Sequence, residues 1–200
     1  MKRAFVIGHP IAHSRSPLIH NHWLAEHGIA GSYEAIDVAP ENLAAFLERL
    51  RAGEFVGGNV TLPLKEAVFD LCDEVDPLAR MIGAVNTLVM REGRLFGTNT
   101  DYLGFLGSLD ADAPGWSDGP KDALVIGAGG AARAVLVALR RRNGGKVHVL
   151  NRTLANAQAL VDEIDGPFEA HGFDAFPRLA DRAGIVVNTS TIGMHGTRFD

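Results

Sequence analysis

The strongest constraint on the fold is one stretch in the second half of the chain, ALVIGAGGAARAVLVALRRRNGGKVHVLNRT, residues 123–153. It reads as a strand, a glycine turn, a helix and a second strand. Gly127, Gly129 and Ala132 have the G-x-G-x-x-A spacing of dinucleotide-binding turns. Because glycine has no Cβ atom, the backbone can turn tightly and approach a pyrophosphate at the helix N-terminus. The alternative, a glycine turn that only packs a helix on a strand, explains the flanking elements less well.

The end of the second strand distinguishes the two nicotinamide cofactors. NAD sites usually place Asp or Glu about 20 residues after the glycines, where the carboxylate binds the ribose 2′-hydroxyl. Here the strand runs into Asn151, Arg152 and Thr153, with no carboxylate that would repel a 2′-phosphate. NADP is therefore the predicted cofactor. Alternatively, Arg152 is a surface arginine beside a helix that Thr153 caps. The arginines at 140–142 end a predicted helix, and we expect them to interact with its dipole and not with a ligand.

Strand-like and helix-like segments alternate along the chain, which predicts an α/β fold with mainly parallel strands. The predicted strands are AFVIG, YEAIDV, FVGGNV, AVNTLVM, ALVIGAG, KVHVLN and GIVVNTS. The predicted helices include PLIHNHWLAEHG, PENLAAFLERLRAG and TLANAQALVDEI, in which apolar residues recur every three or four positions. An acidic segment with Pro and Gly at 110–122 is the predicted linker. It separates an N-terminal domain, 1–110, from a C-terminal domain, 119–200.

Composition excludes several classes of function. The net charge of −5 and the isoelectric point of about 5.9 lack the basic footprint of non-specific nucleic-acid binding. The single cysteine, Cys72, cannot form an internal disulfide, and the N-terminus lacks the apolar run of a secretory signal. No stretch approaches the ~20 consecutive apolar residues of a transmembrane helix. We therefore expect a cytoplasmic protein that binds neither nucleic acid nor membrane.

Two serines near the N-terminus are candidates for an anion site. In GHPIAHSRSPLIHN, Ser14 and Ser16 stand just before Pro17, and Ser followed by Pro is a common N-cap and first helical residue. Capping explains Ser16 well and Ser14 less well. Hydroxyls at a helix N-terminus also form a receptor for a carboxylate, so both interpretations stay open.

The same region is rich in histidine. Its four histidines are His9, His13, His20 and His22. Their spacing fits no usual zinc pattern and no cysteine assists them. We therefore expect surface or packing roles for them and predict no metal.

Three further motifs, GNVTLPLK, IGAVNTLV and GTNTDYLGF, place polar residues at the ends of apolar runs, where an α/β sheet opens its ligand crevice. Their amides and hydroxyls belong to Asn59, Thr61, Asn86, Thr87, Asn99 and Thr100. Turn chemistry explains any one of these residues, but six together favour a binding site. Beside them stand Lys65 and Asp101, a pair suited to moving a proton while a hydride moves elsewhere. The alternative for Lys65 is a solvated lysine at a helix start.

These motifs together resemble those of shikimate dehydrogenases. VIGHPIAHSRSPLIHN, GNVTLPLKE, IGAVNTLV, GTNTDYLGF, VIGAGGAARAV, NRT and VVNTSTIGM have the order and approximate spacing found in that family, over nearly the whole chain. The resemblance implies an NADP-dependent oxidoreductase that reversibly reduces 3-dehydroshikimate to shikimate in the pathway to chorismate and aromatic amino acids. It also implies a substrate-binding α/β domain, a Rossmann-like dinucleotide-binding domain and a cleft between them.

The resemblance also implies roles for individual residues. It makes Ser14 and Ser16 the ligands of the substrate carboxylate. It assigns the ring hydroxyls to Thr61, Lys65, Asn86 and Asp101, with Asn59 and Thr100 as weaker candidates. Lys65 and Asp101 would also be catalytic. The pyrophosphate would lie on Gly127, Ala128, Gly129, Gly130 and Ala131, and the ribose phosphate on Asn151, Arg152 and Thr153. Met194, and with less support Thr189, would lie near the nicotinamide.

Three features depart from the family pattern. Arg15 stands between the serines, where the family commonly has an apolar residue. Asn156 stands where a basic residue often contacts the 2′-phosphate, which would weaken selectivity for NADP. The sequence stops at GMHGTRFD, whereas similar enzymes continue through further elements, so we expect the chain to lack the C-terminal part and its Rossmann domain to be incomplete.

Two rival functions share the predicted fold. A quinate/shikimate dehydrogenase that uses NAD or NADP would keep the same lysine and aspartate. A catalytically silent dinucleotide-binding protein would not need them, so the presence of Lys65 and Asp101 argues against it. The expected assembly is a monomer or a homodimer.

Overall fold

The computed structural model describes residues 1–193, and the chain divides into two compact units, Met1–Thr100 and Asp101–Asp200. The strands of the first unit are β1 (Lys2–Gly8), β2 (Gly31–Asp37), β3 (Gly57–Val60), β4 (Glu74–Val75), β5 (Thr87–Arg91) and β6 (Arg94–Thr98). Its helices are α1 (Ser16–Glu26), α2 (Leu43–Arg51), α3 (Lys65–Leu71) and α4 (Pro77–Ile82), with a 3-10 turn at Pro40–Asn42.

The second unit begins with α5 (Asp101–Asp112). Its described strands are β7 (Ala123–Ile126), β8 (Val147–Leu150), β9 (Phe168–His171) and β10 (Ile185–Asn188). Its further described helices are α6 (Gly130–Arg142), α7 (Leu154–Glu163) and α8 (Phe176–Ala180), with a 3-10 turn at Phe173–Ala175. Along the described part of the chain, every helix is too short or too polar to cross a bilayer.

The sheet of the first unit is mixed, with the strand order β2-β1-β3-β5-β6-β4. Strand β5 runs antiparallel to both of its neighbours, whereas the other neighbouring strands are parallel. The β5–β6 connection is a two-residue turn, in which Glu92 and Gly93 have φ values of 51° and 78°. Positive φ at both residues fits a type I′ hairpin turn, whose twist matches the flanking strands. The hairpin brings Thr98 opposite Thr87, so the end of β6 lies beside the start of β5.

Three phenylalanines form the centre of the first core. Phe5 on β1 packs edge to face on Phe46 of α2 and on Phe55, with ring centroids 4.9 and 5.3 Å apart. Helix α2 adds Leu43, Leu47 and Leu50, all buried at helical spacing. Burial of each such side chain stabilises the fold by about 1.5–3 kcal/mol, so this cluster supports the strands that carry the polar motifs.

Cys72 follows α3 and packs against the same core. Its Sγ atom donates a hydrogen bond to the Val68 carbonyl, at 3.3 Å. Burial raises the pKa of the Cys72 thiol to about 11, so the thiol is protonated at neutral pH.

The described sheet of the second unit is parallel throughout, with the strand order β10-β7-β8-β9. All four residues of β7 and of β8 are buried, as expected for central strands covered on both faces. Helix α6 is buried from Ala132 to Leu139. On the sheet, Leu124, Ile126 and Leu150 form a core cluster with Leu179 of α8.

The predicted α/β fold is confirmed. Each of the seven predicted runs contains a strand, and six of the eight described strand pairs are parallel. The predictions miss β4, which has two residues, and β6 and β9, which mix polar with apolar residues. The predicted domain limits, 1–110 and 119–200, stay a prediction, and contacts group α5 with the second unit.

Candidate substrate and dinucleotide sites

A chain of hydrogen bonds links four polar side chains in the first unit. Asn59 lies opposite Thr87 in the antiparallel β3–β5 register, and its Nδ2 donates to Thr87 Oγ1 at 3.1 Å. Thr87 Oγ1 donates to Asn86 Oδ1 at 2.8 Å. Asn86 Nδ2 donates to Thr100 Oγ1 at 3.1 Å, while the Thr100 N–H donates to Asn86 Oδ1 at 3.0 Å. These four residues, here named the polar relay, join the ends of three strands.

Tyr33 on β2 extends the polar relay at its Asn59 end. Its hydroxyl donates to Asn59 Oδ1 at 2.6 Å, and its ring stacks on His20 with centroids 4.1 Å apart. Burial raises the pKa of the Tyr33 hydroxyl to about 12, so the hydroxyl remains a donor at neutral pH. Asn86 is only 6% exposed, so its amide is oriented by protein groups. These hydrogen bonds therefore set the orientation of the side chains in the polar relay.

Asn99 bonds to the main chain. It is 2% exposed, and its Nδ2 donates to the Ala84 carbonyl at 2.9 Å. This buried side chain ties the turn after β6 to the chain before β5. For Asn99, the structure supports the turn interpretation.

Ser14 and Ser16 lie at the N-terminus of α1. The helix begins at Ser16, and the Ser16 N–H donates to Ser14 Oγ at 3.3 Å. Ser14 therefore supplies the side-chain acceptor at the helix start, which corrects the N-cap interpretation of Ser16. Both serines are half-buried, and Arg15 between them is exposed.

Thr61 and Lys65 lie at the entry to α3. The Thr61 N–H donates to the Ile7 carbonyl of β1 at 2.8 Å, and the Thr61 carbonyl accepts from the Leu64 N–H at 2.9 Å. Leu64 is fully buried and anchors the turn. Lys65 is half-buried as the first residue of α3, and its carbonyl accepts from the Val85 N–H at 2.9 Å. The start of α3 is thus tied to the residues before β5.

Asp101 is the first residue of α5 and is half-buried. It directly follows Thr100, whose backbone is held by the polar relay. A carboxylate in the first turn of a helix also interacts favourably with the helix dipole. The position of Asp101 therefore fits both a structural and a catalytic role.

The glycine turn of the second unit follows β7. Gly127 has a φ of +112°, which L side chains rarely adopt, and its N–H donates to the Leu150 carbonyl at 2.7 Å. A Cβ atom at Gly127 would lie 2.7 Å from Thr189 Oγ1. The hydroxyl and the N–H of Thr189 both donate to the Ile126 carbonyl at 2.8 Å. The protein itself therefore requires glycine at 127.

Gly129 differs, because a Cβ atom there would meet no described atom within 4 Å. The turn is open at this position, so a ligand has room to approach the backbone. Helix α6 begins at Gly130, and the residue before it provides no side-chain cap. Its first N–H groups lack partners within the helix and can bind an anion. Ala132 is fully buried, so the helix packs closely just beyond the turn.

Asn151, Arg152 and Thr153 connect β8 to α7. Asn151 Nδ2 donates to the Thr153 carbonyl at 2.9 Å, which closes the connection on itself. Arg152 and Thr153 are exposed. Thr153 precedes α7 but makes no side-chain capping bond, so the capping alternative receives no support. The exposed Arg152 guanidinium, just after β8, can therefore bind a phosphate.

The three arginines at the end of α6 are engaged within the second unit. Arg140 donates to the Asp165 carbonyl, and Arg142 pairs with Asp110 at 2.9 Å. The Arg141 guanidinium lies 5.8 Å from the centre of the Tyr102 ring. These contacts leave Arg152 as the better candidate for a cofactor contact. The predicted nicotinamide neighbour Met194 lies outside the described residues.

Comparison with known proteins identifies both parts of the chain. The shikimate dehydrogenase substrate binding domain matches residues 6–88, and the family described as shikimate / quinate 5-dehydrogenase matches residues 117–195. A shikimate dehydrogenase (NADP(+)) of Mesorhizobium japonicum is 55% identical over 196 residues, which cover 98% of this chain and 69% of that protein. The chain belongs to the shikimate dehydrogenase family. The predicted resemblance is thereby confirmed.

Crystal structures of two shikimate dehydrogenases have the same fold. The Aquifex aeolicus enzyme superposes with a TM-score of 0.89 at 36% identity, covering 100% of this chain and 73% of that one. The Thermus thermophilus enzyme, in complex with NADP(H) and shikimate, superposes with a TM-score of 0.83 at 45% identity, covering 97% of this chain and 70% of that one.

Among the residues that the shikimate dehydrogenase motifs single out, the structure brings Asn59, Asn86, Thr87 and Thr100 into one network. It also places Thr189 beside the glycine turn at Gly127. The sequence reasoning misses Tyr33, which lies within a strand-like run with no motif of its own. Only the parallel pairing of β1 with both β2 and β3 places Tyr33 within reach of Asn59.

Proposed function

We propose that this protein is an NADP-dependent shikimate dehydrogenase, which reversibly reduces 3-dehydroshikimate to shikimate in the biosynthesis of chorismate and aromatic amino acids. The polar relay of the first unit is the observation that carries the proposal. A ring with several hydroxyls is recognised by amides and hydroxyls at fixed positions, and the hydrogen bonds within the polar relay hold these groups in place. Thr61, Asn86 and Asp101, together with Lys65, are assigned to the ring hydroxyls, with Asn59 and Thr100 beside them.

Ser14 and Ser16 are assigned to the substrate carboxylate. Both lie at the start of α1, an eleven-residue helix whose N-terminus favours negative charge. Their half-buried hydroxyls can donate to the carboxylate oxygens.

Lys65 and Asp101 are assigned to the proton-transfer step. When the ketone is reduced, a hydride adds to the carbonyl carbon and the carbonyl oxygen must gain a proton. The Lys65 ammonium donates that proton, and in the reverse direction the amine accepts it from the alcohol. The Asp101 carboxylate accepts a hydrogen bond from the substrate and helps to orient it. A silent dinucleotide-binding protein would need neither group.

The second unit offers two kinds of hydrogen-bond donor that fit NADP, backbone N–H groups and a guanidinium. Residues 127–131 are assigned to the pyrophosphate, since the turn is open at Gly129 and continues into the N-terminus of α6. Asn151, Arg152 and Thr153 are assigned to the ribose 2′-phosphate, because Arg152 is exposed and no carboxylate accompanies it. Thr189 and Met194 are assigned to the surroundings of the nicotinamide. When bound, NADPH supplies the hydride.

The second candidate is a quinate/shikimate dehydrogenase that accepts NAD. Asn156 favours it, because this exposed residue stands where a basic side chain would give a second contact to the 2′-phosphate. For the cellular setting we propose the cytoplasm, and for the assembly a monomer or a homodimer. The acidic net charge of −5 accords with a partner that is a small molecule and not a nucleic acid.

Turnover assays on the full chain test the proposal. Shikimate or quinate is combined with NADP⁺ or NAD⁺, and formation of the reduced cofactor is followed by its absorbance. We expect the highest kcat/KM for shikimate with NADP⁺. Comparable values for quinate or for NAD⁺ would establish the second candidate instead. Binding of NADPH by the complete enzyme without turnover of either alcohol would refute both and favour the silent protein.

A further inference from the structure

Three side chains with metal-binding atoms converge on one face of the second sheet. His148 lies on β8, directly opposite Glu169 of the parallel strand β9, and His171 is two residues further along β9. Because side chains alternate across a strand, Glu169 and His171 point to the same face. The register places His148 beside both of them. His148 is 9% exposed, and the other two are half-buried.

The distances between the ligand atoms match a metal site. His148 Nδ1 is 3.0 Å from His171 Nε2 and 3.4 Å from Glu169 Oε2, and His171 Nε2 is 3.7 Å from the same oxygen. The corners of a triangle with these sides lie about 2.0 Å from its centre, which is the usual length of Zn–N and Zn–O bonds in proteins. An ion near this centre would reach all three atoms with little movement of the chain.

Charge and hydrogen bonding are compatible with a cation. Lys146 Nζ donates to Glu169 Oε1 at 2.7 Å, which occupies one carboxylate oxygen and leaves Oε2 toward the two imidazoles. Two imidazoles and one carboxylate are a set that Zn²⁺ binds readily, with a fourth position for water. The nearby ammonium opposes a divalent ion, so we expect moderate affinity.

We propose that His148, Glu169 and His171 form a binding site for one Zn²⁺ ion, apart from the residues assigned to NADP and shikimate. The ion would join β8 to β9 through side chains, just before the connection that carries Arg152. The His171 carbonyl already accepts a hydrogen bond from the Asn151 N–H at 3.2 Å. The competing arrangement is a direct hydrogen bond between the two imidazoles, which needs no metal.

The test uses the metal-free full chain and measures binding, not turnover. Zn²⁺ is titrated by calorimetry, and Co²⁺ serves as a spectroscopic substitute whose visible absorption reports nitrogen and oxygen ligands in a tetrahedral arrangement. We expect one ion per chain. His171→Ala and Glu169→Gln should each weaken Zn²⁺ binding at least tenfold, and Zn²⁺ should raise the melting temperature of the parent chain but not of either variant.

A matched control separates this site from surface histidines. His22 and Glu26 form an exposed pair on α1 at 3.9 Å, so His22→Ala should leave Zn²⁺ binding unchanged. Circular dichroism without metal verifies that each variant is folded, and the partly exposed Glu169 gives a variant with little effect on the core. Equal Zn²⁺ binding by the parent, His171→Ala and Glu169→Gln would overturn the proposal, as would loss of binding in His22→Ala.

Discussion

The two proposed sites of this chain are built in opposite ways. In the first unit, the polar relay consists of side chains from separate strand ends that already bond to one another. In the second unit, the glycine turn offers backbone N–H groups from one continuous segment, followed by the exposed side chain of Arg152. The first arrangement depends on the fold of the whole unit, whereas the second depends on a few local dihedral angles.

This difference predicts how the two sites should respond to mutation. A site made of interlocked side chains loses both orientation and stability when one member is removed. A site made of backbone groups tolerates changes in most neighbouring side chains, and its selectivity rests on the few that carry charge. Substitutions in the two units can therefore test the contrast directly.

The largest effect is expected from Lys65→Ala. If Lys65 transfers the proton, turnover should fall at least ~100-fold, while NADPH binding and the melting temperature stay close to those of the parent. Steady-state kinetics, cofactor titration and a melting curve measure the three quantities. Lys2→Ala is the matched control, because Lys2 is exposed at the start of β1. Turnover of Lys65→Ala within a few-fold of the parent would contradict the catalytic assignment.

A pair of asparagines tests the contrast between the sites most directly. Asn86→Ala leaves Thr87 and Thr100 without their shared partner, so the free energy of unfolding should fall by about 2–3 kcal/mol and the KM for shikimate should rise. Asn151→Ala removes one hydrogen bond at a half-buried position and should cost about 1 kcal/mol or less. Denaturant unfolding gives both values. Equal losses would mean that the polar relay is no more interlocked than the connection after β8.

Arg152→Ala tests whether charge sets selectivity in the second site. Loss of hydrogen bonds to a 2′-phosphate should weaken NADPH binding by roughly 1.5–3 kcal/mol and leave NADH binding nearly unchanged. Fluorescence titration with each cofactor measures the difference. Arg182→Ala, an exposed arginine beyond α8, is the control and should affect neither. If Arg152→Ala weakened both cofactors equally, the assignment to the 2′-phosphate would be wrong.

The smallest expected effect is a fall in the free energy of unfolding at alkaline pH, caused by Tyr33 in the first unit. The folded-state pKa of Tyr33, about 12, lies above the ordinary value near 10, so folding favours the protonated hydroxyl. Its contribution is fully present below about pH 10 and is lost as pH rises toward 12. Denaturant unfolding at a series of alkaline pH values should show this loss in the parent and less of it in Tyr33→Phe.

The sequence predicts the second site more fully than the first, for a physical reason. The roles proposed for Gly127, Gly129 and Arg152 depend on local backbone geometry and charge within one βαβ unit, so their spacing alone suggests them. The first site arises where distant segments pair. The Glu92-Gly93 turn and the antiparallel direction of β5 decide that Asn59 meets Thr87, and periodicity does not reveal pairing direction.

Two single residues show the same dependence on the folded structure. Motif position groups Asn99 with Asn86, and the fold decides that Asn99 bonds the Ala84 carbonyl while Asn86 joins the polar relay. Ser16 precedes a proline and so resembles a cap, yet the helix already includes it and Ser14 provides the acceptor. For Ser16, a shift of one residue relative to the helix boundary decides the role. Such boundaries are the least certain part of any sequence-based prediction.

The half-buried thiol described above makes the first unit observable by itself. Cys72 is the only cysteine of the chain, and it packs against the core of that unit. Since the thiolate is the species that reacts with alkylating agents, the half-burial and raised pKa of Cys72 slow its labelling, and opening of this core speeds it. The rate of modification therefore reports how often the unit that carries the polar relay opens. Openings confined to the other unit leave this rate unchanged.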